Sequence, residues 1–274
     1  MVTLSERLKK YEDAYNYIIL SKLPIIVRAE IRNFSRLTKK IKDPYSIELS
    51  RIIRETMFSS VKDIEGAIFS YNHGSEINFI LRIVDVKSSQ DFYGNKIQKI
   101  GSVVGSICSN NFMKNFLASD DPPDLIGEAI FEVVTFPLPS ISEVMNYLLL
   151  RQRLAEQSST LLAVEHEMLK LYDKKTVHRS LNKKGISEKK DLLLTECNVK
   201  YEDYPAYFRL GSCCYKAPKL IKTYNSEMIK KKWIMDVDCF DFVNNKDVIM
   251  NIIRTGQDVV KLDRDIETLD NTEN

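Results

Sequence analysis

The sequence lacks several features that would assign the protein to a familiar class at once. In its 274 residues, no apolar run approaches the roughly 18 residues that a membrane-spanning helix needs. There is no Cys-x-x-Cys pair, Walker loop, dinucleotide-binding glycine motif or His-Glu-x-x-His motif, and the three histidines lie far apart. These absences exclude a membrane span and the common sequence signatures of zinc sites, phosphate-binding loops and metalloproteases.

The composition is that of an ordinary globular protein. Basic residues number 40 and acidic residues 38, and 44% of the chain is apolar, which argues against intrinsic disorder. The first helix is charged and has no secretory pattern, and the five cysteines are odd in number. We therefore expect reduced thiols and a cytoplasmic location.

Charge is unevenly distributed along the chain. Residues 170–190 contain eight basic residues against two acidic ones, residues 216–232 contain six against one, and residues 262–274 contain one against five. Basic blocks attract phosphate and predict a salt-sensitive RNA-binding surface, although a solvated helix face or loop is the alternative. The acidic tail is expected to be a mobile end.

The hydrophobic pattern predicts an α+β fold. In chain order we expect a helix to about Leu20, a strand from Pro24, a helix from Asp43, a hairpin of 67–71 and 76–83, a helix over 97–116, a strand over 129–136 and a long helix from Ser140 to about Tyr172. This order is that of a ferredoxin-like split βαβ unit. The C-terminal part is predicted to be helical and basic, and least ordered directly after the long helix.

Two glutamates at predicted strand ends form the candidate catalytic pair. Glu30 ends the first strand and Glu76 begins the third, and in a split βαβ sheet such ends can lie side by side on one face. Polymerase-like folds hold two Mg²⁺ ions on carboxylates at such a place, because phosphoryl transfer needs positive charge at the entering and leaving oxygens. Two glutamates at strand ends are also common by chance.

Five segments resemble the tRNA-His guanylyltransferase family. They are YEDAYNYI (11–18), LPIIVRAEIRNF (23–34), IFSYNHGSEINF (68–79), EVMNYLLLRQRLAEQSS (143–159) and NVKYEDYPAYFRLGS (198–212), in the family's order and spacing. The resemblance implies a polymerase-like palm, an antiparallel sheet flanked by helices, in a tetrameric enzyme. It also implies activation of the tRNA 5′ end by GTP or ATP and Mg²⁺-dependent addition of a nucleotide in the 3′–5′ direction.

The resemblance is weakest where the family binds its metal ions. The family's Asp-Gly after the first strand is Glu30-Ile31 here, and its hairpin Gln-Ser-Asp-Glu is His73-Gly74-Ser75-Glu76. Carried over, the metal positions are Glu30, Ile31 and Glu76, with Ile31 standing for a backbone contact. Glu30 is longer than aspartate and Ser75 carries no charge, which leaves thin support for two Mg²⁺ ions.

Departures also affect positions that contact the triphosphate and the tRNA end. Asp43 replaces a family lysine, Ser35 replaces a histidine, and Glu156-Gln157-Ser158-Ser159 replaces His-Ile-Asn-Asn. For Asp43, capping of the following helix is a sufficient structural explanation. Together these changes favour a site that has lost part of its chemistry.

Other family positions are kept and form the predicted nucleotide- and RNA-binding set. Most are basic, and guanidinium groups bind phosphate bidentately. The set is Arg28, Arg32, Asn33, Lys96, Lys99, Asn198 and Arg209. For Arg28, a salt bridge to a strand-end carboxylate such as Glu30 is as good an interpretation as a phosphate contact.

Three functional hypotheses follow. The favoured one is a degenerate relative that binds tRNA or other RNA and a nucleoside triphosphate, with guanylyl transfer weak or lost, as an RNA binder or a partner subunit. The alternative is an active Mg²⁺-dependent enzyme that works through Glu30 and Glu76, helped by Asp85 or Asp91. The third is a structural oligomer without an RNA role.

The same resemblance predicts the organisation and partners of the chain. We expect a palm-like domain at 1–139, the long helix and basic region at 140–260 and the acidic tail at 261–274. A homo-oligomer is expected, and neither DNA nor a membrane is expected as a partner.

Overall fold

The structure is a computed structural model that describes residues 2–82, 91–223, 226–256 and 267–268, with the backbone alone for 219–223, 226–230 and 267–268. Its helices are α1 (Leu4–Asp13), α2 (Phe34–Leu37), α3 (Ile47–Asp63), α4 (Ile97–Leu117), α5 (Ile141–Met168), α6 (Lys174–Leu181), α7 (Ile186–Cys197), α8 (Ala206–Arg209) and α9 (Lys246–Thr255). Its strands are β1 (Ile25–Ile31), β2 (Ala67–His73), β3 (Glu76–Leu81), β4 (Phe131–Pro137), β5 (Ser212–Thr223), β6 (Ser226–Asp236) and β7 (Glu267–Thr268). No helix in these ranges is long and apolar enough to cross a membrane.

The N-terminal half confirms the predicted β-α-β-β-α-β order. The six elements are β1, α3, β2, β3, α4 and β4, and the strands lie side by side as β4-β1-β3-β2 with every neighbour antiparallel. The predicted boundaries are wrong at two helices, because α1 ends at Asp13 rather than near Leu20, and α3 begins at Ile47. Ser46 caps α3 through a hydrogen bond from Leu49 N, so the predicted capping role of Asp43 is wrong.

The predicted helical C-terminal part is wrong for residues 212–223 and 226–236, which are strands. β5 and β6 form a long antiparallel hairpin, and β5 extends the sheet by pairing with β2. Along Tyr215–Pro218, buried and partly exposed residues alternate, which is the period of a strand. β7 pairs with β5 in parallel, and the rest of the acidic tail at 261–274 lies outside the described residues.

The basic block at 170–190 is helical rather than poorly ordered. After α5 ends, Asp173 caps α6 by accepting hydrogen bonds from Lys175 N (2.9 Å) and Thr176 N (3.2 Å). Val177 and Leu181, one helical turn apart, are buried in a cluster that joins α5, α6, α7 and α8. Burial of this apolar stripe fixes α6 against the body of the protein.

The sheet separates two hydrophobic cores. Alternate residues of β1 and β3 point to opposite faces, so Val27 and Phe79 pack with α3 and α4, whereas Ile26 and Ile80 pack with α5 and α9. Each such fully buried side chain contributes about 1.5–3 kcal/mol of transfer free energy. The two cores fix the sheet between its helices and hold the strand ends in place.

Candidate functional site

The structure places the two predicted catalytic glutamates side by side. Glu30 of β1 lies opposite Glu76 of β3 on one side and opposite Glu132 of β4 on the other. Directly opposite residues of antiparallel strands point to the same face. Three carboxylates therefore form a row at one end of the sheet, on the face that α5 covers.

Glu76 is held by two arginines. Its Oε2 lies 3.2 Å from Arg151 Nη2 and 3.7 Å from Arg28 Nη1, and its Oε1 accepts a 2.8 Å hydrogen bond from Asn78 Nδ2. The Tyr147 hydroxyl donates to Asn78 Oδ1 at 2.5 Å and accepts from Arg151 Nε at 3.1 Å. We call these five side chains the strand-end network. Within it, both oxygens of Glu76 are engaged and its charge faces two guanidinium groups.

Regular secondary structure explains how the network assembles. Arg28 and Asn78 are register partners one pleat away from Glu76, and Tyr147 and Arg151 are four residues apart on α5, hence on one helix face. The exposed fractions are 14% for Arg151, 19% for Glu76 and 31% for Arg28. Burial raises the pKa of Tyr147, which keeps its hydroxyl protonated as a donor.

The strand-end network does not fit a site for two magnesium ions. A divalent cation at Glu76 would adjoin two guanidinium groups. Two unit charges 4 Å apart repel by about 4 kcal/mol at an effective dielectric constant of 20, and a doubled charge doubles the repulsion. Although the three strand-end glutamates form a row, no group of three or more side chains in the described part of the chain is arranged so that it could hold a metal ion.

The other predicted metal positions do not supply the missing anionic groups. Glu30 is exposed and forms no ion pair with a described residue, and Glu132 pairs with Arg32 at 3.2 Å. The Ile31 side chain is buried in the core, and its backbone N–H donates to Ser75 O at 3.0 Å. The predicted salt bridge of Arg28 exists, but its partner is Glu76 rather than Glu30.

Several predicted binding residues have structural contacts. Asn33 and Asn198 have φ angles of +51° and +54°, the first opening α2 and the second capping the C-terminus of α7. Asparagine tolerates this left-handed conformation better than most residues. Arg209 Nε donates to Tyr204 O at 2.7 Å. These local contacts account for the residue types without a ligand.

Lys96 and Lys99 lie away from the strand-end network. Asn95, next to Lys96, shares a small cavity with Ile25 and Leu81, the first residue of β1 and the last of β3. Leu81 is five residues from Glu76 along β3, and at 3.4 Å per residue this places the cavity about 17 Å from Glu76 along the sheet. The two lysines are at the start of α4, which covers the opposite sheet face from α5.

The predicted help from a further aspartate is wrong for Asp91. This residue lines the same distant cavity as Ile25 and Leu81, and its Oδ2 accepts a 2.9 Å hydrogen bond from Ser21 Oγ. It therefore does not join Glu30. Asp85 lies outside the described residues.

A cavity of about 250 Å³ lies beside the strand-end network. It is enclosed by α3, α5, α8 and the β2–β3 turn at His73-Gly74-Ser75, next to Glu76. Much of its wall is apolar or aromatic, from Phe34, Leu49, Ile53, Leu162, Tyr207 and Phe208. Apolar walls with a few polar groups are typical of a small-molecule site.

Two polar side chains of this cavity have well-defined states. His73 Nε2 lies 3.0 Å from Phe208 O, and because a carbonyl only accepts, Nε2 carries the proton. Burial lowers the pKa of His73, which favours the neutral ring. Arg54 is 7% exposed, and its guanidinium carbon lies 4.3 Å from the centre of the Tyr207 ring.

The sequence pattern did not single out Arg54, Tyr147 or Arg151. Arg54 follows Ile53 in the buried stripe of α3. Charged residues are rarely buried, so an arginine at such a position is the sequence signal that could have indicated a functional residue. The four-residue spacing of Tyr147 and Arg151 is a signal that they share a face, but not that Glu76 meets them.

The α6 helix carries an exposed basic surface. We define this basic surface as the exposed side chains of α6 and the following turn that form no ion pair with described residues: Lys174, Lys175, Arg179 and Lys183. Three other lysines of the block are paired, Lys170 with Glu167, Lys184 with Glu188 and Lys190 with Glu156, and Lys189 is half-buried. Within this block, the exposed and unpaired positive charge is therefore concentrated on α6 and the turn that follows it.

The fold and the strand-end network together define a mixed α/β protein with a polar site at one end of an antiparallel sheet. A family model described as tRNAHis guanylyltransferase (Thg1) matches residues 5–139. The chain is 20% identical over 245 residues to a probable tRNA(His) guanylyltransferase of Dictyostelium discoideum, covering 86% of this chain and 94% of that protein. It is 25% identical over 170 residues to the uncharacterized protein R259 of Acanthamoeba polyphaga mimivirus, covering 54% of this chain and 57% of that protein.

Solved structures show the same fold. A bacterial tRNA(His) guanylyltransferase (Thg1)-like protein in complex with ATP has a TM-score of 0.76 at 24% identity, covering 92% of this chain and 99% of that one. The tRNA(His) guanylyltransferase of Saccharomyces cerevisiae has a TM-score of 0.65 at 18% identity, covering 79% and 92%. Residues 5–139 of the chain therefore match the tRNAHis guanylyltransferase (Thg1) family.

Proposed function

We propose that this chain is a nucleotide- and RNA-binding member of the Thg1 family in which 3′–5′ guanylyl transfer is weak or lost. The strand-end network is the observation that carries the proposal. Glu76 is neutralised by Arg28 and Arg151, so the carboxylate in the best position for a metal ion serves as an ion-pair partner instead. The proposal therefore includes no protein site for Mg²⁺.

The scaffold in this proposal is a polymerase-like palm at 1–139, followed by a second region at 140–260. The order β4-β1-β3-β2 with α3 and α4 on one face supports the palm assignment. Because β5 continues the sheet beyond β2, the second region shares the first region's sheet. A cytoplasmic location is part of this proposal.

A nucleoside triphosphate is the proposed ligand of the cavity beside the β2–β3 turn. Its aromatic and apolar walls suit a heterocyclic base, and the turn backbone at Gly74 and Ser75 leads to the strand-end network. Bacterial Thg1-like proteins of the same fold form complexes with ATP and with GTP. Arg28 contacts Glu76 in the strand-end network, so it retains a structural role even without a phosphate.

tRNA or another RNA is the proposed macromolecular partner. The basic surface of α6 presents exposed cationic side chains that form no ion pair with described residues, and phosphate neutralisation by such groups gives salt-dependent RNA binding. We further propose a homo-oligomer, because α1 buries none of its residues and leaves Leu4, Leu8 and Tyr11 exposed.

A transfer assay tests the proposal. Protein, Mg²⁺, labelled GTP and tRNA are expected to give no labelled product above background, while filter binding detects a protein–RNA complex that weakens steeply with salt. Wild-type turnover that is lost in Glu76→Ala would support the active alternative, in which Glu30 and Glu76 hold the metal ions. Absence of any RNA complex would support a structural role.

A further inference from the structure

Arg54 is a buried cation that forms no ion pair with the described part of the chain. Its Nη1 is fully buried and has no hydrogen-bond partner, and the guanidinium forms no ion pair with any described residue. An arginine stays charged in proteins, and an uncompensated buried charge is costly. Because Arg54 lines the cavity beside the β2–β3 turn, an acceptor supplied by a ligand would compensate this cost.

The surroundings of Arg54 favour a flat ligand with acceptors on its edge. The Arg54 guanidinium lies over the Tyr207 ring, and its delocalised, planar group presents its N–H donors in one plane. The neighbouring walls include Phe34 and Phe208, which suit the faces of a heterocycle. A planar ring with two adjacent acceptors on its edge can accept hydrogen bonds from two N–H groups of the guanidinium at once.

Asp43 argues against a phosphate group in the same place. It lines the cavity, and its Oδ1 already accepts a 3.0 Å hydrogen bond from Tyr45 N. A phosphate beside Arg54 would share the cavity with this carboxylate, whereas a ring that carries donors as well as acceptors can use both groups. Guanine has acceptors at O6 and N7 and donors at N1 and N2, and adenine has a donor at N6 where guanine has O6.

We propose that Arg54 selects guanine over adenine by donating to O6 and N7 of a guanine base seated in the cavity. This assignment rests on the proposed nucleotide binding and adds the residue that discriminates between the bases. A bidentate arginine–guanine contact discriminates between bases by about 5- to 150-fold. Adenine loses one of the two hydrogen bonds and brings its N6 donors against the guanidinium.

Isothermal titration of the full chain with GTP and with ATP, in EDTA, tests the assignment without catalysis. Wild type is expected to bind GTP about 5- to 150-fold more tightly than ATP. Arg54→Gln is expected to lose this preference or reverse it, because a glutamine amide matches N6 and N7 of adenine. Arg51→Gln is the matched control, since Arg51 lies on the same helix and pairs with Glu48 outside the cavity.

A folding check and a second variant keep the result decisive. Arg54→Lys retains the charge but not the planar fork, so it is expected to keep the circular dichroism spectrum of wild type and to lose most of the GTP preference. Equal affinities of wild type for GTP and ATP, or a preference that survives Arg54→Gln, would overturn the assignment and leave nucleotide binding intact. Failure to bind either nucleotide would refute nucleotide binding itself.

Inorganic triphosphate is the third ligand of the experiment. If it competes with GTP equally well in wild type and in Arg54→Gln, Arg54 does not bind phosphate, as proposed. If its affinity falls together with that of GTP in Arg54→Gln, the residue is a phosphate contact and the assignment to the base is wrong.

Discussion

Replacing Glu76 by glutamine distinguishes an ion-pair partner from a metal ligand. Glutamine has nearly the same shape and keeps an oxygen for the 2.8 Å hydrogen bond from Asn78, but it removes the charge that faces Arg28 and Arg151. The variant therefore isolates the electrostatic contribution of the strand-end network. In an ion-pair network, the loss of this charge destabilises the fold.

The expected magnitude follows from distances and exposure. Breaking a buried pair costs about 3–5 kcal/mol, and breaking an exposed pair costs about 0–1 kcal/mol. The contact with Arg151, at 3.2 Å and 14% exposed, lies nearer the buried limit. The contact with Arg28, at 3.7 Å and 31% exposed, lies nearer the exposed limit. We expect Glu76→Gln to lower the free energy of unfolding by about 2–3 kcal/mol.

Urea unfolding in EDTA, followed by circular dichroism, measures this change. Glu30→Gln is the matched control, because Glu30 lies directly opposite Glu76 but is exposed and forms no ion pair with described residues. Its free energy of unfolding is expected to change by less than about 0.5 kcal/mol. The two variants carry the same substitution at adjacent positions of the sheet.

If Glu76 were a metal ligand, the change in the free energy of unfolding would have the opposite sign. Without metal, ligand carboxylates repel one another, so removal of one leaves the stability unchanged or raises it. A Glu76→Gln protein at least as stable as wild type in EDTA would refute the ion-pair account. The same conclusion would follow if Mg²⁺ stabilised wild type and not the variant.

Three further results are expected. Gly211→Ala should cost about 3 kcal/mol in urea unfolding, since Gly211 has a φ of +85° and a Cβ would lie 2.4 Å from Asn72 O; a near-neutral change would contradict this geometry. Burial lowers the pKa of His73, so the unfolded chain takes up a proton first and wild-type stability should fall from about pH 7 to pH 5; His73→Gln should lose this part of the pH dependence, and parallel curves would refute it. Glutamine at all four positions of the basic surface should reduce the magnitude of the negative slope of log affinity for single-stranded RNA against log salt by about 3, and an unchanged slope would exclude the surface from binding.

Local patterns predicted the N-terminal half of the fold. The β2–β3 hairpin is readable because two β-rich segments flank a short turn containing Gly74, and the start of α5 is readable because Ser140 and Glu143 have capping spacing. Strand order then brings Glu30 next to Glu76. These features depend on residues close together in sequence or on one topology rule.

The remaining features depend on contacts between distant segments. Nothing in the order of residues near Glu76 indicates that Arg151, 75 positions later, will compensate its charge. The strands β5 and β6 were obscured by their lysines, and the alternating burial along Tyr215–Pro218 follows from the pairing of β5 with β2. Arg54 is recognisable as a site residue only when the cavity around it is seen.

A crystal structure of the wild-type protein soaked with Mn²⁺ and a non-hydrolysable GTP analogue tests the central claim most directly. Anomalous scattering locates each metal ion. Our account predicts that Arg28 and Arg151 stay paired with Glu76 and that no Mn²⁺ binds its carboxylate. Two Mn²⁺ peaks bridging Glu30, Glu76 and the triphosphate would contradict it.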